Sequence, residues 1–125
     1  MQEIAAVKYE ISKSRFYAHL YLLEFPDEYA DALAIHEKLY KKAAHHCAAM
    51  LFKMPDGRTA SEFKNDGEVG HPGRTLLNIL EVNDLNSHAL IVSRVFGGIK
   101  LGPAGVTRAF RDSGDMAVKL ARNKD

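Results

Sequence analysis

The sequence predicts an α+β fold: a mixed, largely antiparallel sheet with helices packed on one face, in the order β-β-α-β-β-α-β-α. Three observations carry this. Two stretches near the start alternate apolar and polar residues, which is the period of a strand. Three segments, after Pro26, after Pro72 and from Val106 onward, space apolar residues three and four apart, as one face of a helix requires. Between the last two lies a continuous apolar run, Ala89-Leu90-Ile91-Val92, which suits a strand buried on both faces. Strands that arrive in pairs separated by helices favour antiparallel pairing, and the unpaired fifth strand belongs inside the sheet.

Taken in order, Glu3 to Ile11 alternates weakly and Ser12-Lys13-Ser14 can turn. Arg15 to Phe25 alternates cleanly, with Tyr17, His19, Tyr21, Leu23 and Phe25 on one side. Pro26-Asp27-Glu28 opens a helix, because proline suits the first turn and acids meet its positive end. Its stripe is Tyr29, Leu33, His36 and Tyr40, widened by Ala32, Ile35 and Leu39. Lys38, Lys41 and Lys42 crowd its far end, where the dipole favours cations. His45 to Met54 returns to strand, Pro55-Asp56-Gly57 turns, and a short strand covers Ser61 to Lys64. The second helix starts at Pro72, buries Leu76, Leu77, Ile79 and Leu80, and runs out near Asn83-Asp84. The last helix carries Val106, Phe110, Ser113, Ala117 and Leu120 at spacings of four, three, four and three.

Residues 1–125, with 46% hydrophobic and 26% charged side chains, read as a single globular domain. Cys47 is the only cysteine, so no internal disulfide forms and a reducing compartment is expected. The N-terminus lacks a signal-peptide pattern and no apolar run approaches membrane-spanning length, so the expectation is a cytoplasmic protein without membrane association. The net charge of +1 argues neither for nor against nucleic acid. From Arg94 onward seven basic residues stand against three acidic ones, Lys124 and Asp125 included, which is a modest anion-attracting bias or a solvated helix with a basic end.

Two glycine loops stand out. The first is Asp66-Gly-Glu-Val-Gly-His-Pro-Gly-Arg74; the second, Arg94 to Phe110, holds Gly97, Gly98, Gly102 and Gly105 with Lys100 between the pairs. A strand that passes through glycines into a helix leaves N–H groups accessible and lets another group approach the backbone. The expectation is that the loops lie side by side. From the first, Asp66, Gly67, Glu68, Gly73 and Arg74 would contribute; from the second, Arg94, Gly97, Gly98, Lys100, Gly102 and Arg108. Asp66 and Glu68 suit Mg²⁺ binding or acid–base work, or an ion pair to Arg94, Lys100 or Arg108 that braces both loops. Neither loop is a Walker motif and the first lacks G-x-G-x-x-G, so no nucleotide cofactor is implied. Gly73-Arg74 at a helix start could hold an anion or an RNA phosphate. His45-His46-Cys47 suggests a metal, but alternation allows at most two of the three to share one, and Cys47 with His45 as base lacks an orienting third residue. Tyr17, His19 and Tyr21 near Arg15 loosely meet the pattern of basic residues beside aromatics that bind RNA.

Lys13-Ser14-Arg15-Phe16, His45-His46-Cys47, Asp66-Gly67-Glu68, Gly73-Arg74 and above all Phe96-Gly97-Gly98-Ile99-Lys100-Leu101-Gly102 together resemble the IMPACT/YigZ family. The resemblance implies a fold like the second domain of ribosomal protein S5. It also implies a regulator of translation, since eukaryotic members act in the starvation stress response by competing for the co-activator of a kinase that phosphorylates initiation factor two. Bacterial members add a ferredoxin-like C-terminal domain; the likeness here is to the shared domain, without that part or the eukaryotic RWD module. Asn65 stands where the family commonly has a first acid, and Val69 where it has proline. The resulting expectation is a non-enzymatic binding domain without cofactor, contacting a protein partner or RNA and the ribosome, with its oligomeric state open. The alternative is a small hydrolase or phosphotransfer enzyme using Asp66, Glu68, His45 and Lys100.

Overall fold

The computed structural model describes residues 1–123; Lys124 and Asp125, counted above in the charge of the last segment, lie outside the described residues. The elements are β1 (Gln2–Ile11), β2 (Ser14–Leu22), α1 (Glu28–Leu39), β3 (His45–Lys53), β4 (Thr59–Lys64), α2 (Pro72–Val82), β5 (His88–Val95) and α3 (Gly102–Arg122). The α+β class and the element order are those expected. The five strands form one sheet in the order β1-β2-β5-β3-β4, with β5 at its centre. Every pairing is antiparallel, so the sheet is antiparallel throughout rather than mixed.

The helices differ from the expectation in one respect: they cover both faces of the sheet. Phe16, Leu20, Leu90, Val92 and Leu51 form one core with Leu76 and Leu80 of α2 and Val106 and Phe110 of α3. On the reverse face Tyr21, Met50, Ala89 and Ile91 pack against Tyr29 and Ala32 of α1. The cause is the two-sided apolarity of β5 and β3. Ala89 and Ile91 would face water if all three helices lay together, and burying such side chains is worth about 1.5–3 kcal/mol each for the larger ones. The same arrangement narrows α1's apolar stripe, and Ile35 and Leu39 stay exposed. Leu120 of α3 is likewise exposed, while Val118 is buried. β2 ends at Leu22, yet Leu23 remains buried and its N–H donates to the Ser87 carbonyl at 2.7 Å.

Under α1 the reverse face is polar as well as apolar. His36 is sealed from solvent, with Nδ1 2.9 Å from Ser93 Oγ and Nε2 without a partner. His46 Nδ1 approaches the same hydroxyl at 2.7 Å. One hydroxyl proton serves one histidine while the oxygen accepts from the other. Burial, reinforced by His19 and His46, holds the His36 pKa down at about 3, so the folded protein keeps this ring neutral where the unfolded chain protonates it near pH 6.5. Burial lowers His46 and His88 also.

Between these two values the unfolded state binds more protons, so stability falls as the pH drops below about 6.5, by up to about 1.4 kcal/mol per pH unit per such group. Urea denaturation at about pH 7.5 and about pH 5.5 should show the loss, and His36→Gln, which cannot titrate, should flatten it. An unchanged slope in that variant would show that His36 is not its source.

Candidate functional site

Arg94 is the penultimate residue of β5, flanked in register by Phe16 on β2 and His45 on β3. All three side chains emerge on the α3 face, at the end of the sheet where the core gives out. A guanidinium there needs a counter-charge, and the first glycine loop brings one. Arg94 Nη1 donates to Glu68 Oε2 at 2.9 Å, with side-chain exposures of only 8% and 3%. The guanidinium carbon lies 5.8 Å from the Phe16 ring centroid and 5.5 Å from that of Phe96. Glu68 Oε1 accepts from the Val69 N–H at 3.0 Å, so both carboxylate oxygens are engaged.

His45 Nδ1 lies 2.8 Å from the Asp66 carbonyl. A carbonyl only accepts, so Nδ1 carries a proton, and the ring's other nitrogen, Nε2, lies 3.7 Å from Glu68 Oε2. Asp66 faces elsewhere than expected: Oδ2 accepts from the His46 N–H at 2.7 Å and Oδ1 is 3.4 Å from Lys64 Nζ. It is tied to the backbone of β3 and to Lys64 at the end of β4, instead of to the cations of the second loop. Cys47 is buried and donates its thiol to the Asn65 carbonyl at 3.2 Å. Burial pushes this thiol up, with Glu68 and Asp66 adding to the shift, so it is a packed neutral group and a poor nucleophile. His45, His46 and Cys47 therefore serve three different neighbours.

Two glycines fix where the loops lie. A Cβ on Gly73 would stand 2.5 Å from the Lys64 carbonyl oxygen, and the Gly73 N–H donates to Asn65 Oδ1 at 2.9 Å. Asn65 serves here through its acceptor oxygen alone. A Cβ on Gly97 would run into the Lys13 carbonyl, and the Gly97 N–H donates to Ser14 Oγ at 3.1 Å. The β1–β2 turn is thus bolted to the second loop. Ser12 and Lys13 both take positive φ, +48° and +65°, as the central residues of a tight two-residue hairpin must.

Between the loops opens a cleft of about 430 Å³. Arg94, Glu68 and His45 lie in it; Val69, Phe96, Leu101 and Val106 give it apolar walls, and Lys100 and Gly102 stand at the second loop's edge. Gly67 and Gly98 take positive φ within the two loops, and Gly102, which lines the cleft, takes positive φ at the start of α3. Val69, Phe96 and Ile99 are about half exposed. Arg74 points away from the cleft into a groove with Tyr29 and Glu62, and Arg108 lies in a neighbouring one with Gly70 and Thr107. The loops do meet, then, with Glu68, Arg94, Lys100 and Gly102 at one cleft and Arg74 outside it. Phe16, Phe96, Ser14 and the ring of His45 complete the site. Only the strand register, which pairs Arg94 with Phe16 and His45, makes them neighbours, though Ser14 and Phe16 stood in the Lys-Ser-Arg-Phe motif.

An antiparallel sheet of this order, with helices on both faces and glycine loops closing one end over a buried arginine, defines an α+β domain, consistent with the fold of the second domain of ribosomal protein S5. Residues 12–118 match the Impact N-terminal domain, and the chain belongs to that family. It is 33% identical over 119 residues to an IMPACT family member of Haemophilus influenzae, covering 92% of this chain and 56% of that protein. A crystal structure of a hypothetical protein superposes with a TM-score of 0.85 at 28% identity, over 92% of this chain and 56% of the other. The two-domain translational regulator Yih1 superposes with a TM-score of 0.60 at 21% identity, over 96% of this chain and 46% of the other, a likeness of fold. The chain thus spans about half the length of these relatives. No helix among the described residues is long and apolar enough to cross a membrane.

Removing one member of a buried ion pair strands the other charge. Glu68→Ala is expected to cost about 3–5 kcal/mol in urea denaturation, and the double change Glu68→Leu with Arg94→Met much less. Gly97→Ala, which drives a methyl group into the Lys13 carbonyl, should cost about 1–3 kcal/mol in the same assay.

Proposed function

We propose that this domain is a non-enzymatic docking module of translational regulation in the cytoplasm, and that the cleft between its glycine loops receives a segment of a protein partner. The observation that carries the reading is the cleft's composition. Its apolar walls include half-exposed Val69 and Phe96, and its buried Arg94 and Glu68 neutralise each other. Apolar anchors in a desolvated pocket are the part of an interface that supplies most of its affinity. Exposed aromatic surface beside glycine backbone would serve such a segment. A phosphate backbone would find Lys100 as the cleft's one cation without an ion pair among the described residues. The hydrolase reading draws less support, since Glu68 has both oxygens engaged and Asp66 is held by the His46 N–H and Lys64. Membership of the Impact family and the fold shared with the translational regulator Yih1 support the link to translation.

The test is affinity capture of the full chain from native extract, with and without ribonuclease, and identification of what is held. Components of the translation apparatus should be retained after ribonuclease treatment. Phe96→Ala with Val69→Ser should reduce their recovery by about tenfold or more, the loss of a central hot spot. Capture that vanishes with ribonuclease, or that is indifferent to Phe96 and Val69, refutes this assignment of the cleft.

A further inference from the structure

On the reverse face of the sheet, at the same end as the cleft, a second groove of about 460 Å³ runs between the end of α1 and the start of β2. Arg15, Lys38, Lys41 and Lys42 line it, together with Tyr17 and Tyr40. None of the four cations takes part in an ion pair among the described residues. Lys38, Lys41 and Lys42 also suit the negative end of α1. Arg15 has no such reason, because it comes from a strand and is aimed into the same groove. Acidic residues at neighbouring positions do not cancel the charge. Glu3 is held by His19, and Glu10 stands opposite Arg15 in the β1–β2 register without an ion pair to it.

Tyr17 and Tyr40 stack with ring centroids 4.3 Å apart and planes within 16°. Tyr40 is fixed by its hydroxyl, 2.6 Å from His19 Nε2. The aromatic pair is therefore held in place and half-buried, set among long cationic side chains. Unneutralised cations tracking a groove beside a fixed aromatic platform is the chemistry that binds single-stranded nucleic acid. We propose that this groove is a second binding surface, independent of the cleft, and that it takes single-stranded RNA. The lysines and Arg15 contact consecutive phosphates, and a base lies against the tyrosine platform. The two surfaces face opposite sides of one sheet end, so RNA and a protein segment can be held at once.

The probe is a fluorescein-labelled oligouridylate of about twelve nucleotides, which matches a short single-strand site. Anisotropy is measured on the full chain from about 50 mM KCl upward. With three or four phosphates neutralised, log K should fall against log salt with a slope of about −2 to −3. Lys41→Glu with Lys42→Glu should weaken binding by about tenfold or more and make the slope shallower by about one to two units. The neutral pair Lys41→Gln with Lys42→Gln should fall between, and Tyr17→Leu should weaken binding by about fivefold or more without altering the slope. Lys100→Glu, in the cleft, should leave it unchanged. Absence of binding at low salt overturns the proposal, as does binding indifferent to Lys41 and Lys42. Equal loss in Lys100→Glu would move the RNA to the cleft, and tighter binding of a multiply phosphorylated peptide would make the groove a protein site. Failure here leaves the cleft reading intact, because Phe96 and Val69 are not in this groove.

Discussion

The ion pair between Arg94 and Glu68 is the contact on which this end of the molecule depends. A guanidinium at the end of the central strand, pressed between Phe16 and Phe96, has lost most of its water. Such a charge is tolerable only if an opposite one comes with it, because an unpaired buried ion costs several kcal/mol. Glu68 answers from a loop more than twenty residues away, and its position sets that of the loop. The Val69 N–H then closes on its free oxygen, and the His45 ring is oriented by the neighbouring Asp66 carbonyl. The pair adds little net stability relative to a well-packed apolar substitute. Its effect is to specify one arrangement of two glycine-rich segments that would otherwise have many.

Backbone approach does the rest of the bracing. The Lys13 carbonyl occupies the space where Gly97 would carry a side chain, and the Lys64 carbonyl does the same at Gly73. These contacts tie the β1–β2 turn to the second loop and the end of β4 to the start of α2. The loops are therefore anchored from below by strands and from between by an ion pair. What they leave open is a cleft in which Arg94 and Glu68 neutralise each other and whose accessible wall is largely apolar.

The reverse face of the same sheet end has the opposite character. There His36 and His46 share the Ser93 hydroxyl beneath α1, and the exposed end of that helix gathers cations that form no ion pair among the described residues. Because β5 and β3 are apolar on both sides, helices must cover both faces. The two ends of the helical layers consequently differ in chemistry across a single sheet. Two unlike surfaces at one end of a small domain follow from that layering.

The sequence by itself determined the class, the order of elements and the identity of the central strand, because each rests on local periodicity and turn chemistry. It also marked both glycine loops, since bare backbone there is a composition signal, and it offered Glu68–Arg94 as one of several pairings. Tertiary structure alone decided among those pairings, giving Glu68 to Arg94 and Asp66 to β3 and Lys64. It alone placed α1 opposite α2 and α3, left Arg74 outside the cleft, and brought Arg15 to the lysines of α1. The physical reason is that alternation fixes which side of a strand a residue takes but not which strand lies beside it. Charge selection and helix placement depend on that register, which is a property of the assembled sheet.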